Sequence, residues 1–280
     1  MLTAVKFYQE LRSGSSLPLI ISASDGNKYV AKLCGAGDGI LANVVEWLAS
    51  KLGTLLHLPV ISPVFLAIPK TLDDASWDPE IRELLQKSIG VNLGLPYLEK
   101  AETYSERAAH TVDENLKDEI FLYDLFLLNI DRNPANPNMI IHQGELRCLD
   151  YSSALMIRSA LTRENYREHV LLRHLKRHLF YHSPIMPYPF INKLRQVADS
   201  DISQIVSELP EEWLKPLQIA ATAGEAREII RARLIAKKNH GEVLLRMLDM
   251  LRIVKHETEE ERHARSLQNR LAFEQKHGKI

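Results

Sequence analysis

Two aspartates and an asparagine carry the strongest chemical signal in the chain. The run Asn129-Ile130-Asp131-Arg132-Asn133-Pro134-Ala135-Asn136-Pro137-Asn138 follows an apolar stretch and precedes two β-prone runs that end at Asp150. Phosphoryl transfer needs a carboxylate to orient or deprotonate the acceptor, and oxygen ligands to hold Mg²⁺ against nucleotide phosphates. A D-x-x-x-x-N loop followed by a second aspartate supplies both, and Asp131, Asn136 and Asp150 match that arrangement. Taken alone, Asn-Pro-Ala-Asn-Pro-Asn is also what an ordinary polar turn looks like. The order of elements favours the chemical reading. A Gln143-Gly144 turn between Met139-Ile140-Ile141 and Leu146-Arg147-Cys148-Leu149 carries the chain out and back, so Asp150 returns close to the loop that began at Asp131.

The complementary positive charge is expected from the first hundred residues. Asp25-Gly26-Asn27 joins two β-prone runs, Leu17 to Ser22 and Lys28 to Leu33, as a hairpin with Lys32 on its second strand. Tyr29-Val30-Ala31-Lys32 resembles the V-A-I-K strand, whose lysine contacts the α- and β-phosphates of a nucleotide. Between Ile40 and Leu56, Val45, Leu48, Ala49, Leu52 and Leu56 recur at helical spacing, with Asn43, Ser50 and Lys51 elsewhere on the wheel. Glu46 on this helix is flanked by Ala42, Ala49 and Gly53, so the helix can approach the sheet closely enough for a Lys32–Glu46 ion pair. Ahead of the hairpin, Gly14, Ser15 and Ser16 form a small polar segment whose amides could cradle phosphate oxygens, although it holds one glycine and no G-x-G-x-x-G.

The elements that must position these residues fall into two parts. Strands, one helix and turns occupy the first hundred residues; after about Thr103 helical pattern dominates, apart from one hairpin. The expected division is an N-terminal part, 1–95, and a helical part, 96–280, with a hinge within Gly94 to Glu99 where Tyr97 and Leu98 are candidate nucleotide contacts. Val60-Ile61, between Pro59 and Pro63, suits an edge strand. Pro69 to Gly90, with Asp73, Asp74 and Asp78, reads as a surface excursion around a short helix. Further helices are expected at Asp113 to Asn129, Thr162 to His182, Ile191 to Asp199, Asp201 to Leu209 and Gly224 to Val254, the last broken near Asn239-His240-Gly241.

Composition sets limits. With 280 residues, 45% of them hydrophobic, the chain can bury a large core without staples. Thirty-five basic residues against 36 acidic ones give a net charge of −1, which offers no electrostatic ground for a nucleic-acid or membrane-surface partner. Cys34 and Cys148 sit singly in strand-like runs with no secretory signal upstream, so a reduced, cytosolic compartment is expected. The most apolar stretch, Ile120 to Ile130, contains Asp124 and falls short of the roughly 20 apolar residues of a membrane helix; it reads as a buried core helix.

From Gly14-Ser15-Ser16-Leu17-Pro18, through Tyr29-Val30-Ala31-Lys32, Glu46 and Leu58-Pro59-Val60, to Asp131-Arg132-Asn133-Pro134, Asn136-Pro137-Asn138 and Leu149-Asp150, the chain resembles the HipA-like Ser/Thr kinases. The resemblance covers about residues 10 to 155. It implies an α+β, bilobal protein-kinase-like fold with ATP and Mg²⁺ between the lobes. It also implies Lys32 on the phosphates, Glu46 orienting it, Asp131 as catalytic base, and Asn136 and Asp150 as metal ligands. Family members phosphorylate proteins on Ser or Thr, some act as growth-arresting toxins, and some autophosphorylate a serine of the phosphate-binding loop. A protein substrate, an antitoxin-like partner and modification of Ser15 or Ser16 are therefore among its implications. Asn129-Ile130 stands in place of the His-Arg of eukaryotic kinases, and Tyr151-Ser152 in place of their Phe-Gly, which argues against activation-loop control.

Two other readings share these residues. A kinase-fold phosphotransferase for a small molecule or lipid headgroup uses the same acid-asparagine-acid chemistry, although Asp-Arg-Asn rather than His-Gly-Asp favours the HipA-like side. A non-catalytic scaffold is disfavoured by the presence of all five polar site residues. His174, His178 and His182, four apart, would align on one helix face, but without an H-E-x-x-H pattern and beside Arg173, Lys176 and Arg177 they read as a polar face near the cleft rather than a metal site. His256 to Lys279 reads as an exposed mixed-charge helix.

Overall fold

The computed structural model describes residues 1–11, 17–72, 78–105, 112–162, 166, 168–182 and 184–254. Five strands close a barrel: β1 (Leu2–Glu10), β2 (Leu19–Ala23), β3 (Lys28–Lys32), β4 (Val64–Ile68) and β5 (Gly90–Pro96), in the order β1-β2-β3-β5-β4. All neighbours are antiparallel except β1 and β4, which pair in parallel through Leu2 with Leu66 and Thr3 with Ala67. The hairpin of β2 and β3 turns at Gly26, whose φ of 83° is open to glycine without strain. Alternating residues Leu19, Ile21, Ala31 and Leu66 fill the barrel.

A single long helix, α1 (Gly39–Leu55), follows β3. Ten consecutive-to-near residues of it, from Asn43 to Ser50 with Leu52 and Gly53, are buried, so Asn43 and Ser50 do not lie on a wet face as their polarity suggests. Its apolar residues belong to the same continuous core as α3 (Glu114–Leu127), α4 (Leu155–Thr162) and the later helices, whereas the barrel interior forms its own cluster. Gly53 allows the close approach, since a Cβ there would stand 2.7 Å from Val60 Cγ2 and 3.3 Å from the Tyr123 ring on α3.

The chain from Pro69 to Gly90 is less of an excursion than expected. After a 3-10 turn, Lys70–Leu72, the helix α2 (Pro79–Lys87) starts with Asp78 accepting from the Glu80 amide and packs Ile81, Leu84 and Leu85 into the barrel cluster. Asp73 and Asp74 lie outside the described residues. Val60-Ile61 is not an edge strand: flanking prolines leave too few donors, and Val60 makes one isolated bridge to Cys148, while the strand forms four residues later as β4. Gly94 to Pro96, the first part of the expected hinge, is β-strand paired with β3, so the connection to the helical part starts at Tyr97. The strand β1 has no counterpart in the sequence reading.

In the helical part a short strand, β6 (Glu102–Thr103), pairs with the expected hairpin, β7 (Met139–His142) and β8 (Glu145–Cys148). Its two-residue turn has φ of 53° at Gln143 and 82° at Gly144, the left-handed pair that twists with the strands. Of the expected helix from Thr162 to His182 only α5 (Glu168–Leu175) forms among the described residues, with His178 and His182 beyond it; α4, which ends at Thr162, has no counterpart among the expected helices. Then come α6 (Pro187–Gln196), α7 (Asp199–Ser207), α8 (Glu211–Leu217), α9 (Ala223–Asn239) and α10 (Val243–Ile253), with the break between the last two near the expected place. The helix α8 has no counterpart among the expected helices; it carries Pro216, a residue that ordinarily disfavours a helix interior. The stretch from His256 to Lys279 lies outside the described residues. Among the described residues no helix is long and apolar enough to cross a membrane.

Candidate active site

The last residue of β3, Lys32, points its ammonium into a cleft between the barrel and the helical part. Lys32 Nζ donates to Glu46 Oε2 at 2.9 Å and to Asp150 Oδ1 at 2.8 Å, bringing together three residues that the sequence separates by up to 118 positions. Glu46 is fully buried on α1, and its Oε2 also accepts the Tyr151 backbone N–H at 2.7 Å. Burial alone would lower the Lys32 pKa, but the carboxylates of Glu46 and Asp150 outweigh it and hold the ammonium above its ordinary value. Burial pushes Glu46 up, opposed by Lys32. Asp150 is held below the ordinary carboxylate value: its burial is outweighed by Lys32 and by the Ser152 hydroxyl, which donates at 2.8 Å.

Asp150 has a φ of 60°. A left-handed aspartate is strained relative to glycine, and here the flanking hydrogen bonds of Leu149 to Asn138 and of Tyr151 to Glu46 hold it so.

Opposite stands the loop after α3. Leu128 closes that helix in left-handed conformation at φ 53°, and the Asn129 amide donates back to Asp124 O at 2.8 Å. Asn133 and Asn136 exchange backbone hydrogen bonds at 3.1 and 3.0 Å, which folds the loop tightly. Side-chain amides of Asn133 and Asn136 both donate to Asp131 O, at 3.1 and 3.4 Å. Asp131, Asn136 and Asp150 thereby line one cleft of about 370 Å³ together with Lys32.

Residues not anticipated share this cleft. Gly37, Asp38 and Gly39, in the turn into α1, form one wall, and Ser152, Ser153 and Arg158 another. Arg158 on α4 reaches Asp38 Oδ2 at 2.6 Å, an ion pair between the two parts of the chain. Asn43 lies beneath, its amide donating to Lys32 O at 3.0 Å. A polar residue read as solvated on a helical wheel is here a support of the lysine strand; no spacing signal marks it. His178, expected on a polar face near the cleft, is buried beneath the Asp131 loop against Asp124, and His182 pairs with Asp118.

The remaining candidate nucleotide contacts stand apart from this cleft or outside the described residues. Tyr97 and Leu98 do not line it; the Tyr97 amide donates to Lys28 O at 2.9 Å, at the other end of β3 from Lys32. Gly14, Ser15 and Ser16 lie outside the described residues.

The donor set suits a hard cation. Mg²⁺ binds through one or two protein oxygens with phosphates and water completing the octahedron, and the Asp150 carboxylate with the Asn136 amide oxygen supplies that pair in one cleft. Among the described residues no group of three or more His, Cys, Asp or Glu side chains makes a self-sufficient metal cage.

A family model for HipA-like kinases matches residues 4–240. The chain belongs to this family. Among curated proteins none matches the chain. Of solved structures, the Helicobacter pylori proinflammatory kinase CtkA aligns at 8% identity over 88% of this chain and 96% of its own, with a TM-score of 0.49. The MAP kinase LmaMPK10 from Leishmania major aligns at 14% identity over 91% and 84%, with a TM-score of 0.22. The assignment rests on the family match. As a HipA-like kinase, the chain has the α+β architecture expected, a sheet-bearing N-terminal part and a helical C-terminal part.

Proposed function

We propose that this HipA-like kinase transfers the γ-phosphate of Mg-ATP to a Ser or Thr hydroxyl of a protein. The observation that carries the reading is the Lys32 ammonium bonded to both Glu46 and Asp150 in the cleft that Asp131 and Asn136 also line. In this proposal residues 1–95 and 96–280 act as two lobes around the nucleotide. Lys32 binds α- and β-phosphate oxygens, and Glu46 keeps its ammonium aimed at them. The nucleotide base lies toward Tyr97 and Leu98, at the far end of β3; Lys28 and Lys32 lie four strand steps apart, roughly 13 Å, a gap an extended nucleotide can span.

Asp131 accepts the proton of the acceptor hydroxyl while that oxygen bonds to the γ-phosphorus; the bond from the γ-phosphorus to the bridging oxygen breaks, and ADP leaves. Asn136 and Asp150 would hold Mg²⁺, which when bound neutralises phosphate charge. Most of the rate enhancement comes from positioning and fixed charge. Ser15 and Ser16 are the proposed autophosphorylation sites.

Intact-protein mass spectrometry after incubation with Mg-ATP tests the reading without knowledge of the acceptor. A phosphoryl mass gain in wild type, absent in Asp131→Ala, is expected, and a gain surviving in the Ser15→Ala, Ser16→Ala double variant would move the modified site elsewhere. No gain in wild type, with phosphate transferred instead to a small-molecule or lipid-headgroup acceptor in a screen, would overturn the protein-kinase reading.

A further inference from the structure

Beneath the cleft lies a buried polar cluster that the reaction proposed above does not use. Asp124, in the last turn of α3, is fully buried, as is Arg132, and His178 nearly so. Asp124 Oδ1 accepts from Asn129 Nδ2 at 2.9 Å, and Oδ2 accepts from Arg132 Nε at 2.5 Å and meets His178 Nε2 at 2.8 Å. The tautomer of His178 follows from its other nitrogen. Nδ1 accepts the Phe180 backbone N–H at 3.0 Å, so it carries no hydrogen, and the proton of the neutral ring sits on Nε2, aimed at Asp124.

Arg132 extends from this carboxylate to the far end of the loop. Its Nη1 donates to Pro137 O at 3.1 Å and to Asn138 O. Asn138 O also accepts the Leu149 backbone N–H at 3.0 Å, and the guanidinium lies 5.1 Å from the centroid of the Tyr151 ring. One side chain thus ties the last turn of α3 to the end of the loop that bears Asp131 and lies against Tyr151, the residue after Asp150, while Leu149 on the other side is reached through Asn138 O. Asp124 is the only carboxylate bonded to this buried cation among the described residues, and Nη2 finds no protein acceptor. Loss of a donor to Asp124 therefore loosens the group that anchors Arg132.

We propose that Asp124, Arg132 and His178 are positioning residues that set the separation of Asp131 from Asp150. The proposal rests on the phosphotransfer reading for its kinetic consequence, and on hydrogen bonds alone for its structural one. His178 is its most remote member, 54 residues from Asp124 and supplied by the segment after α5.

The test compares His178→Phe, which keeps a ring but removes the donor, with His178→Gln, whose amide can restore a donor to Asp124. Turnover in the Mg-ATP reaction is measured per folded molecule, together with amide hydrogen exchange over residues 129–138 and 149–151. With His178→Phe, kcat falls about 10- to 100-fold, as misplacement of reacting groups does, with KM for ATP changing less than about threefold. Exchange in both segments quickens, and His178→Gln recovers most of both. An unchanged kcat per folded molecule, or unchanged exchange in both segments, overturns the proposal. If wild type shows no phosphotransfer, the functional reading has failed, and exchange alone decides whether the cluster fixes the loop.

Discussion

The Tyr151 backbone N–H and the Glu46 carboxylate meet at 2.7 Å across 105 positions of sequence. The same oxygen, Oε2, receives Lys32. Glu46 is therefore fastened to the segment after Asp150 and to the lysine strand at once, and a change at any of the three is felt by the other two.

Replacing Glu46 with Ala leaves Lys32 with Asp150 alone and the buried Tyr151 amide without its acceptor. The expected loss of folding stability is about 3–5 kcal/mol, the range for breaking a buried ion pair, read from urea unfolding. Glu46→Gln keeps an oxygen for the amide and should lose less. Equal losses would mean that charge alone sets the cost.

Asp131→Ala should lower turnover by about 10²- to 10⁴-fold, the range for a general base, while ATP affinity by titration calorimetry moves by no more than a few fold. A parallel collapse of ATP affinity would place Asp131 with the nucleotide instead of the acceptor.

Acid should weaken the fold through His178. Burial holds its pKa below the ordinary 6.5, ahead of the opposing pull of Asp124, with Arg132 adding to the depression. Because the unfolded chain binds the proton more readily, stability is full above about 6.5 and is lost as pH falls through the lower folded-state value. Urea midpoints at about pH 7.5 and pH 5 should differ more in wild type than in His178→Gln. An equal difference would assign the acid sensitivity to other groups.

Neither cysteine should behave as a reactive thiol. Burial pushes both Cys34 and Cys148 up to about 11, so the thiolate is scarce at neutral pH. Native protein should react with iodoacetamide far more slowly than urea-unfolded protein, and rapid native labelling of Cys34 would refute the burial argument.

Gly53→Ala should destabilise by about 1–3 kcal/mol, the usual cost of overpacking, since the added methyl meets Val60 and Tyr123. A thermal midpoint equal to wild type would show that α1 can back away from α3 without cost.

Lys32, Glu46, Asp131, Asn136 and Asp150 were legible because each sits in a local pattern with its own physics: a strand lysine, a helix flanked by small residues, and a polar loop ahead of a hairpin. Their convergence in space follows from those elements. Asn43 was not legible as a support, because polarity in a helix is ordinarily the mark of a wet face, and Asp124, though in a stretch expected to be buried, shows what it supports only through its tertiary partners. His178 was misread for a related reason: a spacing of four implies one helix face only while the helix lasts, and α5 stops at Leu175. The strand β1 escaped notice because its alternation is weak, with few of its residues buried.

Although α1 takes most of its core from the helices, Leu93 and Phe65 of the barrel reach into that core too, and Phe65 stacks on Trp47 at 4.0 Å. The Asn43 amide bonded to Lys32 O fastens α1 to the lysine strand, while the Tyr151 amide fastens Glu46 from the other side. The ammonium and its carboxylate thus keep their spacing through backbone anchorage as well as through charge, like two jaws bolted to one frame.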